Sequence, residues 1–222
     1  MSESHILSSW ATNAAAWTKA VRNREIESRV RATDAAAIAA VVDRKPRRVL
    51  DLGCGEGWLA NALAGRGFDA LGVDAIPALI ERAREGGKAR FEVAGYERIA
   101  ESGLDGRRFD LIVCNFALFG EESVPKLLRR LPDLLAGDGS LVIQTLHPVV
   151  ATGDQPYADG WREGSWAGFS DAFTDPAPWY FRTLGSWVAM FHATGLELVE
   201  LREPVDPRTN KPASVIFVAQ AA

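Results

Sequence analysis

Along the chain, short apolar runs alternate with stretches in which apolar residues recur every three or four positions. The short runs read as strands and the longer stretches as helices with one buried face. Residues 14–31 set Trp17, Val21 and Ile26 among charges and predict a helix. Residues 33–43 predict a second, with Thr33 or Asp34 as N-cap and Lys45-Pro46 ending it. Strands are predicted over 48–52, 69–74, 89–94, 109–114 and 140–145, with helices at 58–64, 76–84 and 121–135 between them. Gly65 and Gly67 close the first of these helices and Gly86-Gly87 the second; Pro125 and Pro132 shape the third. Near-continuous Val, Leu and Ile strands alternating with helices imply an α/β fold, a parallel sheet with helices on both faces. Such sheets bind ligands at the carboxyl ends of their strands, where the strand order reverses.

The alternation breaks at His147. Residues 147–182 hold many prolines and glycines and the aromatics Tyr157, Trp161, Trp166, Phe169, Phe173, Trp179, Tyr180 and Phe181. So long a stretch without regular structure points to a functional loop. Regular pattern returns as a helix at 184–194 and strands at 196–202 and 214–219, joined by a Pro/Asp/Asn turn near residues 206–210. The expected organisation is one domain over 1–222: a helical cap at 1–45, a ligand-binding core at 46–146, an aromatic lid insertion at 147–183, and a C-terminal helix and hairpin at 184–222.

Composition narrows the function classes. At 222 residues the chain suits one large α/β domain, and 47% hydrophobic with 24% charged residues is ordinary for a globular protein. The net charge of -4 argues against nucleic acid as partner. No apolar run reaches the roughly 20 residues of a membrane span, and the first residues lack the basic and apolar regions of a secretory leader. Cys54 and Cys114 lie in apolar runs and read as reduced thiols, and zinc-ligand spacings are absent. A cytoplasmic protein is therefore expected, as a monomer or homodimer without a metal site.

The chemistry centres on Val49-Leu50-Asp51-Leu52-Gly53-Cys54-Gly55-Glu56-Gly57-Trp58. A dinucleotide fingerprint requires G-x-G-x-x-G. Trp58 stands at its third glycine, and the spacing is G-x-G-x-G. A pyrophosphate needs bare N–H groups and tolerates negative charge poorly. Asp51 and Glu56 flank the turn, which suits a ligand carrying a cation.

With this turn, and with Asp74 closing Gly72-Val73-Asp74, the sequence resembles the class I S-adenosylmethionine-dependent methyltransferases. The resemblance runs over residues 49–218 as an order of elements and is sharpest over 49–74. It implies a Rossmann-like, seven-stranded, mostly parallel sheet whose last strand is antiparallel. It also implies S-adenosylmethionine as methyl donor and S-adenosylhomocysteine as product. On that resemblance Gly53, Cys54 and Gly55 would lie against the cofactor through their backbone. Asp51 would order its amino end, and Asp74 would take both ribose hydroxyls, with Ala75 and Ile76 alongside. Gly95 and Tyr96 would meet the adenine, although the acid usual in the family is missing at Tyr96. Asn115 and Phe116 would lie under the cofactor, Trp10 and Trp17 would cover it, and Arg29 would meet its carboxylate.

Leu146-His147-Pro148, Phe181-Arg182-Thr183-Leu184 and Leu201-Arg202-Glu203-Pro204 resemble the ubiquinone/menaquinone-biosynthesis type of that family. Enzymes that methylate amines of nucleic acids share an N/D-P-P-Y run, and Asn115-Phe116-Ala117-Leu118 lacks it. The expected acceptor is a small aromatic or apolar molecule, methylated on oxygen or carbon, with the lid rings as walls. Arg162 and Arg182 are candidates for a substrate carboxylate. His147, directly after the fifth core strand, is the candidate base, since an imidazole suits proton abstraction near neutrality. Two alternatives stay open: an NAD-dependent oxidoreductase, and a non-catalytic protein that binds S-adenosylmethionine or S-adenosylhomocysteine.

Overall fold

A computed structural model describes residues 2–222. The chain opens with α1 (Glu3–Arg22), then a π-helical stretch (Arg29–Thr33) that runs without a break into α2 (Asp34–Val42). The core follows as β1 (Arg48–Leu52), α3 (Trp58–Ala64), β2 (Asp69–Asp74), α4 (Pro77–Glu85), β3 (Arg90–Val93) and α5 (Tyr96–Ser102). It continues through β4 (Phe109–Asn115), α6 (Ser123–Leu134) and β5 (Leu135–Thr145). After it come α7 (Pro148–Ala151), β6 (Gly160–Arg162), β7 (Trp179–Phe181), α8 (Leu184–Ala193), β8 (Leu196–Arg202), β9 (Val205–Asp206), β10 (Lys211–Pro212) and β11 (Val215–Ala221).

Seven strands form one sheet in the order β3-β2-β1-β4-β5-β11-β8. The first five are parallel, and β11 runs antiparallel between β5 and β8. Strand order reverses between β1 and β4, so the ligand crevice expected of such a sheet opens at their carboxyl ends. Side-chain alternation explains why these strands read as continuous apolar runs. Val49, Leu111, Val113, Val142, Ile216 and Val218 pack against α2, α3 and α4 through Ala40, Val41, Leu59, Leu63, Ile80 and Ala83. Their neighbours Leu50, Leu52, Ile112, Leu141, Ile143 and Phe217 pack on the other face against Ile99, Leu127, Leu131, Trp187 and Phe191 of α5, α6 and α8. Both faces of the central strands are covered by helices, so neither parity of position there is exposed.

Several boundaries differ from the periodic pattern. The first helix covers Glu3–Arg22 rather than 14–31. Its inner face includes Ser9, Asn13 and Thr18, which are buried because they bond distant backbone or the helix's own carbonyls. Thr33 and Asp34 are not N-caps: both have helical backbone angles inside a continuous helix. Asp34 instead accepts from Arg29 Nε at 2.9 Å. The short helix α5 carries one fully buried side chain, Ile99, too little for a periodic signal. The aromatic stretch is partly ordered by the β6/β7 hairpin, in which Trp161 and Tyr180 pair and their rings meet edge-to-face at 5.7 Å.

The glycine turn is built by close packing as much as by conformation. Gly57 caps α3 in the left-handed region with φ 83°, and a Cβ there would lie 2.7 Å from both Ala83 Cβ and Phe91 Cζ. Gly57→Ala combines left-handed strain with overpacking, each worth about 1–3 kcal/mol. The expected result is a thermal midpoint lower by several degrees, measured by differential scanning calorimetry.

Candidate functional site

The turn after β1 has little hydrogen-bonding capacity left on its N–H groups. Gly53 N and Cys54 N both donate to Val73 O of β2, at 2.8 and 3.0 Å. Gly55 N donates to Asp74 Oδ2 at 2.9 Å, and Gly57 N to Cys54 O at 3.0 Å. A pyrophosphate would find these donors spent. What the turn offers is acid. Asp51 is 1% exposed and accepts only the Ala60 N–H, at 3.1 Å. Burial pushes its carboxyl up to about 8, and the nearby negative charges of Glu56 and Asp74 add to the rise. Burial likewise raises Glu56 to about 7, against the opposing pull of Arg29, and Glu56 Oε2 is buried without a partner. Asp74 closes β2; burial raises its carboxyl too, while the N–H groups of Ile76 and Gly55 pull the other way.

Gly53 has φ 79°, and a Cβ on it would overlap Ala117 Cβ and lie 2.8 Å from the Tyr96 hydroxyl. Ala117 is driven there by the turn after β4. Phe116 adopts φ 51°, a left-handed conformation costly for a large side chain, and is held by Phe116 N donating to Gln144 O at 2.8 Å. Asn115 Oδ1 accepts from Gln144 Nε2 at 2.7 Å, and the same amide donates to Thr33 O at 3.1 Å. The Tyr96 hydroxyl donates to Ala117 O at 3.0 Å, so this ring braces the underside of the glycine turn.

Over the turn lie α1 and the aromatic stretch. Trp17 Nε1 stands 3.6 Å from the position of a Cβ on Gly55, and Ile76 packs with Ala14 beneath Trp10 and Trp17. Trp10 meets Trp17 and Trp166 edge-to-face at 5.0 and 5.8 Å. Asn13 ties helix to loop in both directions: Nδ2 donates to Thr174 O at 2.7 Å, and Thr174 N donates to Oδ1 at 2.9 Å. Arg29 is 8% exposed, with its guanidinium over the rings of Trp58 (4.7 Å) and Trp17 (5.8 Å). Its Nη2 is buried without a partner. An orphaned donor and an orphaned acid oxygen near one glycine cradle fit the two charged ends of an amino acid.

The structure thus gathers Asp51, Gly53, Cys54, Gly55, Asp74, Ala75, Ile76, Tyr96, Phe116, Trp17 and Arg29 around one edge of the sheet. Gly95 is near Ala75, whose Cβ lies 3.7 Å from the position of a glycine Cβ, and Cys54 contributes backbone, its thiol being buried. His147 forms no hydrogen bond with any of these residues. It is 5% exposed, its Nε2 meets Glu203 Oε1 at 2.8 Å, and its Nδ1 is buried without a partner. Its neighbours Leu146 and Pro148 line a crevice with Leu118, Phe119, Tyr180 and Trp187. Sequence reading assigned no role to Gln144, none to Glu203 as a partner of His147, and none to Ala117 as the contact that fills the space at Gly53. Glu56, Ala117 and Glu203 lie in strings that the sequence singles out; Gln144 carries no local signal.

A family model described as a methyltransferase domain matches residues 22–201. A ubiquinone biosynthesis O-methyltransferase of Azorhizobium caulinodans is 31% identical over 111 residues, covering 48% of this chain and 43% of that protein. A trans-aconitate 2-methyltransferase of Rhodococcus jostii is 36% identical over 105 residues, covering 46% and 39%. The chain thus matches less than half the length of either relative. Among solved structures, an S-adenosylmethionine-dependent methyltransferase from Mesorhizobium loti superimposes with a TM-score of 0.65 at 23% identity, covering 84% of this chain and 99% of that one. The glycopeptide N-methyltransferase MtfA, complexed with sinefungin, gives 0.66 at 14% identity, covering 84% and 85%. At these identities the likeness concerns the fold. Among the described residues, no helix is long and apolar enough to cross a membrane.

The buried acids set a pH dependence. A carboxyl that ionises near 3.8 when unfolded but about 8 when folded keeps its proton longer in the native state. The native state therefore loses stability as pH rises between those values. In Asp51→Asn, the decline of the thermal midpoint from about pH 4 to 8 should be shallower, with Glu56 and Asp74 supplying the remainder.

Proposed function

Because the chain belongs to the class I S-adenosylmethionine-dependent methyltransferase family, we propose that it transfers a methyl group from S-adenosylmethionine to a small aromatic or apolar acceptor, on oxygen or carbon. The observation that carries this reading is the glycine turn itself, with the N–H groups of Gly53, Cys54 and Gly55 spent on β2, that of Gly57 on Cys54, and acidic surroundings. That chemistry supports a cationic amino-acid ligand over a dinucleotide, which counts against the oxidoreductase alternative. Asp74 retains a lone pair on each oxygen beyond those used by Gly55 and Ile76, enough for two ribose hydroxyls. Glu56 Oε2 and Asp51 would hold the ammonium, and Arg29 Nη2 the carboxylate. Trp17 would cover the ligand above Gly55, with Phe116 and Asn115 below.

The donor supplies a methyl carbon on a positively charged sulfur, so the protein's work is mainly alignment and exclusion of water, worth roughly 7–11 kcal/mol. Residues 147–183 would close over the acceptor as a lid. His147 would take a proton where the acceptor is a hydroxyl or an acidic carbon. Its bond to Glu203 supports a tautomer with the proton on Nε2, leaving the Nδ1 lone pair free to act as base.

Thermal unfolding with S-adenosylhomocysteine and, separately, with NAD tests the cofactor. Ligand at 100 times its dissociation constant adds about 2.7 kcal/mol, or roughly 5–11 °C here. A shift with S-adenosylhomocysteine alone is expected; a shift with NAD alone would overturn the reading. Asp74→Ala should weaken S-adenosylhomocysteine binding by about 10- to 100-fold, as charge-assisted hydrogen bonds are lost. His147→Asn should keep that binding and slow turnover by about 10²- to 10⁴-fold; an unchanged rate would remove His147 from the chemistry. Binding without turnover on any acceptor would favour a binding protein.

A further inference from the structure

We propose that the acceptor is an anion, an apolar or aromatic molecule bearing a carboxylate that pairs with Arg182. This rests on the methyltransferase reading and names the substrate class of the same site. Arg182 lies between β7 and α8 and is 6% exposed. Its Nη2 donates to the carbonyls of Gly120 and Glu121, at 2.7 and 2.8 Å. Its Nη1 is buried without a partner. Among the described residues no carboxylate forms an ion pair with it, whereas the other buried arginine, Arg29, is paired with Asp34. The acids nearest in its electrostatic field are committed elsewhere. Glu3 accepts from the Glu122 and Ser123 N–H groups, Glu121 from Trp161 Nε1, and Asp159 from Thr183 N.

A buried charge without a counter-ion is strongly unfavourable unless other groups satisfy it. Two carbonyls and the faces of Tyr180 (4.7 Å) and Trp187 (5.7 Å) offset part of that cost and leave both N–H groups of Nη1 unused. Arg182 lines a crevice with Phe119, Thr145, Leu146, Tyr180 and Trp187, just beyond the carboxyl ends of β4 and β5. The crevice is thus on the sheet edge that carries the glycine turn. Its interior of about 10 Å³ admits one water or one carboxylate oxygen, and its empty space with the mouth counted is about 320 Å³. The acceptor's apolar body would occupy the mouth against the rings of Phe119, Tyr180 and Trp187. Arg162 does not compete for this role. It donates to the Pro156 and Ala158 carbonyls, sits over Phe181, and does not line the crevice.

Calorimetric titration of the full chain saturated with S-adenosylhomocysteine tests this, using benzoate, cinnamate and their neutral amides. At least one acid should bind at least about tenfold more tightly than its amide. Arg182→Met should abolish that preference, and Arg182→Lys should retain part of it. The thermal shift with S-adenosylhomocysteine reports whether each variant is folded, and the acid-to-amide ratio of the unsubstituted protein stands even if Arg182→Met is not. Equal affinity for acid and amide, binding by neither acid, or a preference that survives in Arg182→Met would overturn the proposal. Failure to bind S-adenosylhomocysteine at all would instead overturn the cofactor reading.

Discussion

The end of β2 holds the site together. Val73 O accepts two N–H groups from the turn after β1, and Asp74 accepts a third with one oxygen while its other oxygen starts the path into α4. These bonds pull the turn against β2 and require glycine at 53 and 57, where Ala117 and the Ala83–Phe91 pair leave no room for a Cβ. They also decide what the turn can bind. With its donors satisfied internally, the turn presents carboxylates with lone pairs to spare, and burial of Asp51 and Glu56 keeps them poised to ionise when a cation arrives.

The same edge is closed from above by two segments far apart in the chain. Asn13 of α1 bonds both backbone groups of Thr174, and Trp10 packs edge-on against Trp166. The cover over the turn is thus anchored on the aromatic stretch. Releasing it breaks a few side-chain contacts and leaves the seven-stranded sheet intact, so it costs only a fraction of global unfolding.

Much of the framework is legible from local pattern. The bounds of β1, α3, β2 and β8 coincide with the apolar runs and glycine stops that predict them. The segments that periodicity misplaced are those whose burial depends on a distant partner. Asn13 and Ser9 look like surface positions of a helix, yet they are buried because the aromatic loop lands on them. Tyr96 sits at the place of an acid usual in the family, but its hydroxyl bonds Ala117 and its ring supports the turn.

The sequence by itself determined the sheet, the glycine turn and the acid that closes β2. Each leaves a local trace, in side-chain alternation, glycine spacing and strand-end position, even though long-range contacts complete it. Only the tertiary structure decided which polar groups have partners. His147 meets Glu203 from 56 positions away, Gln144 joins Asn115 to Thr33, and Arg182 spends one nitrogen on Gly120 and Glu121 and keeps another unpaired. Partnering depends on burial and on three-dimensional distance. A charge acquires functional character when folding removes it from water, and nothing in the adjacent sequence records that removal.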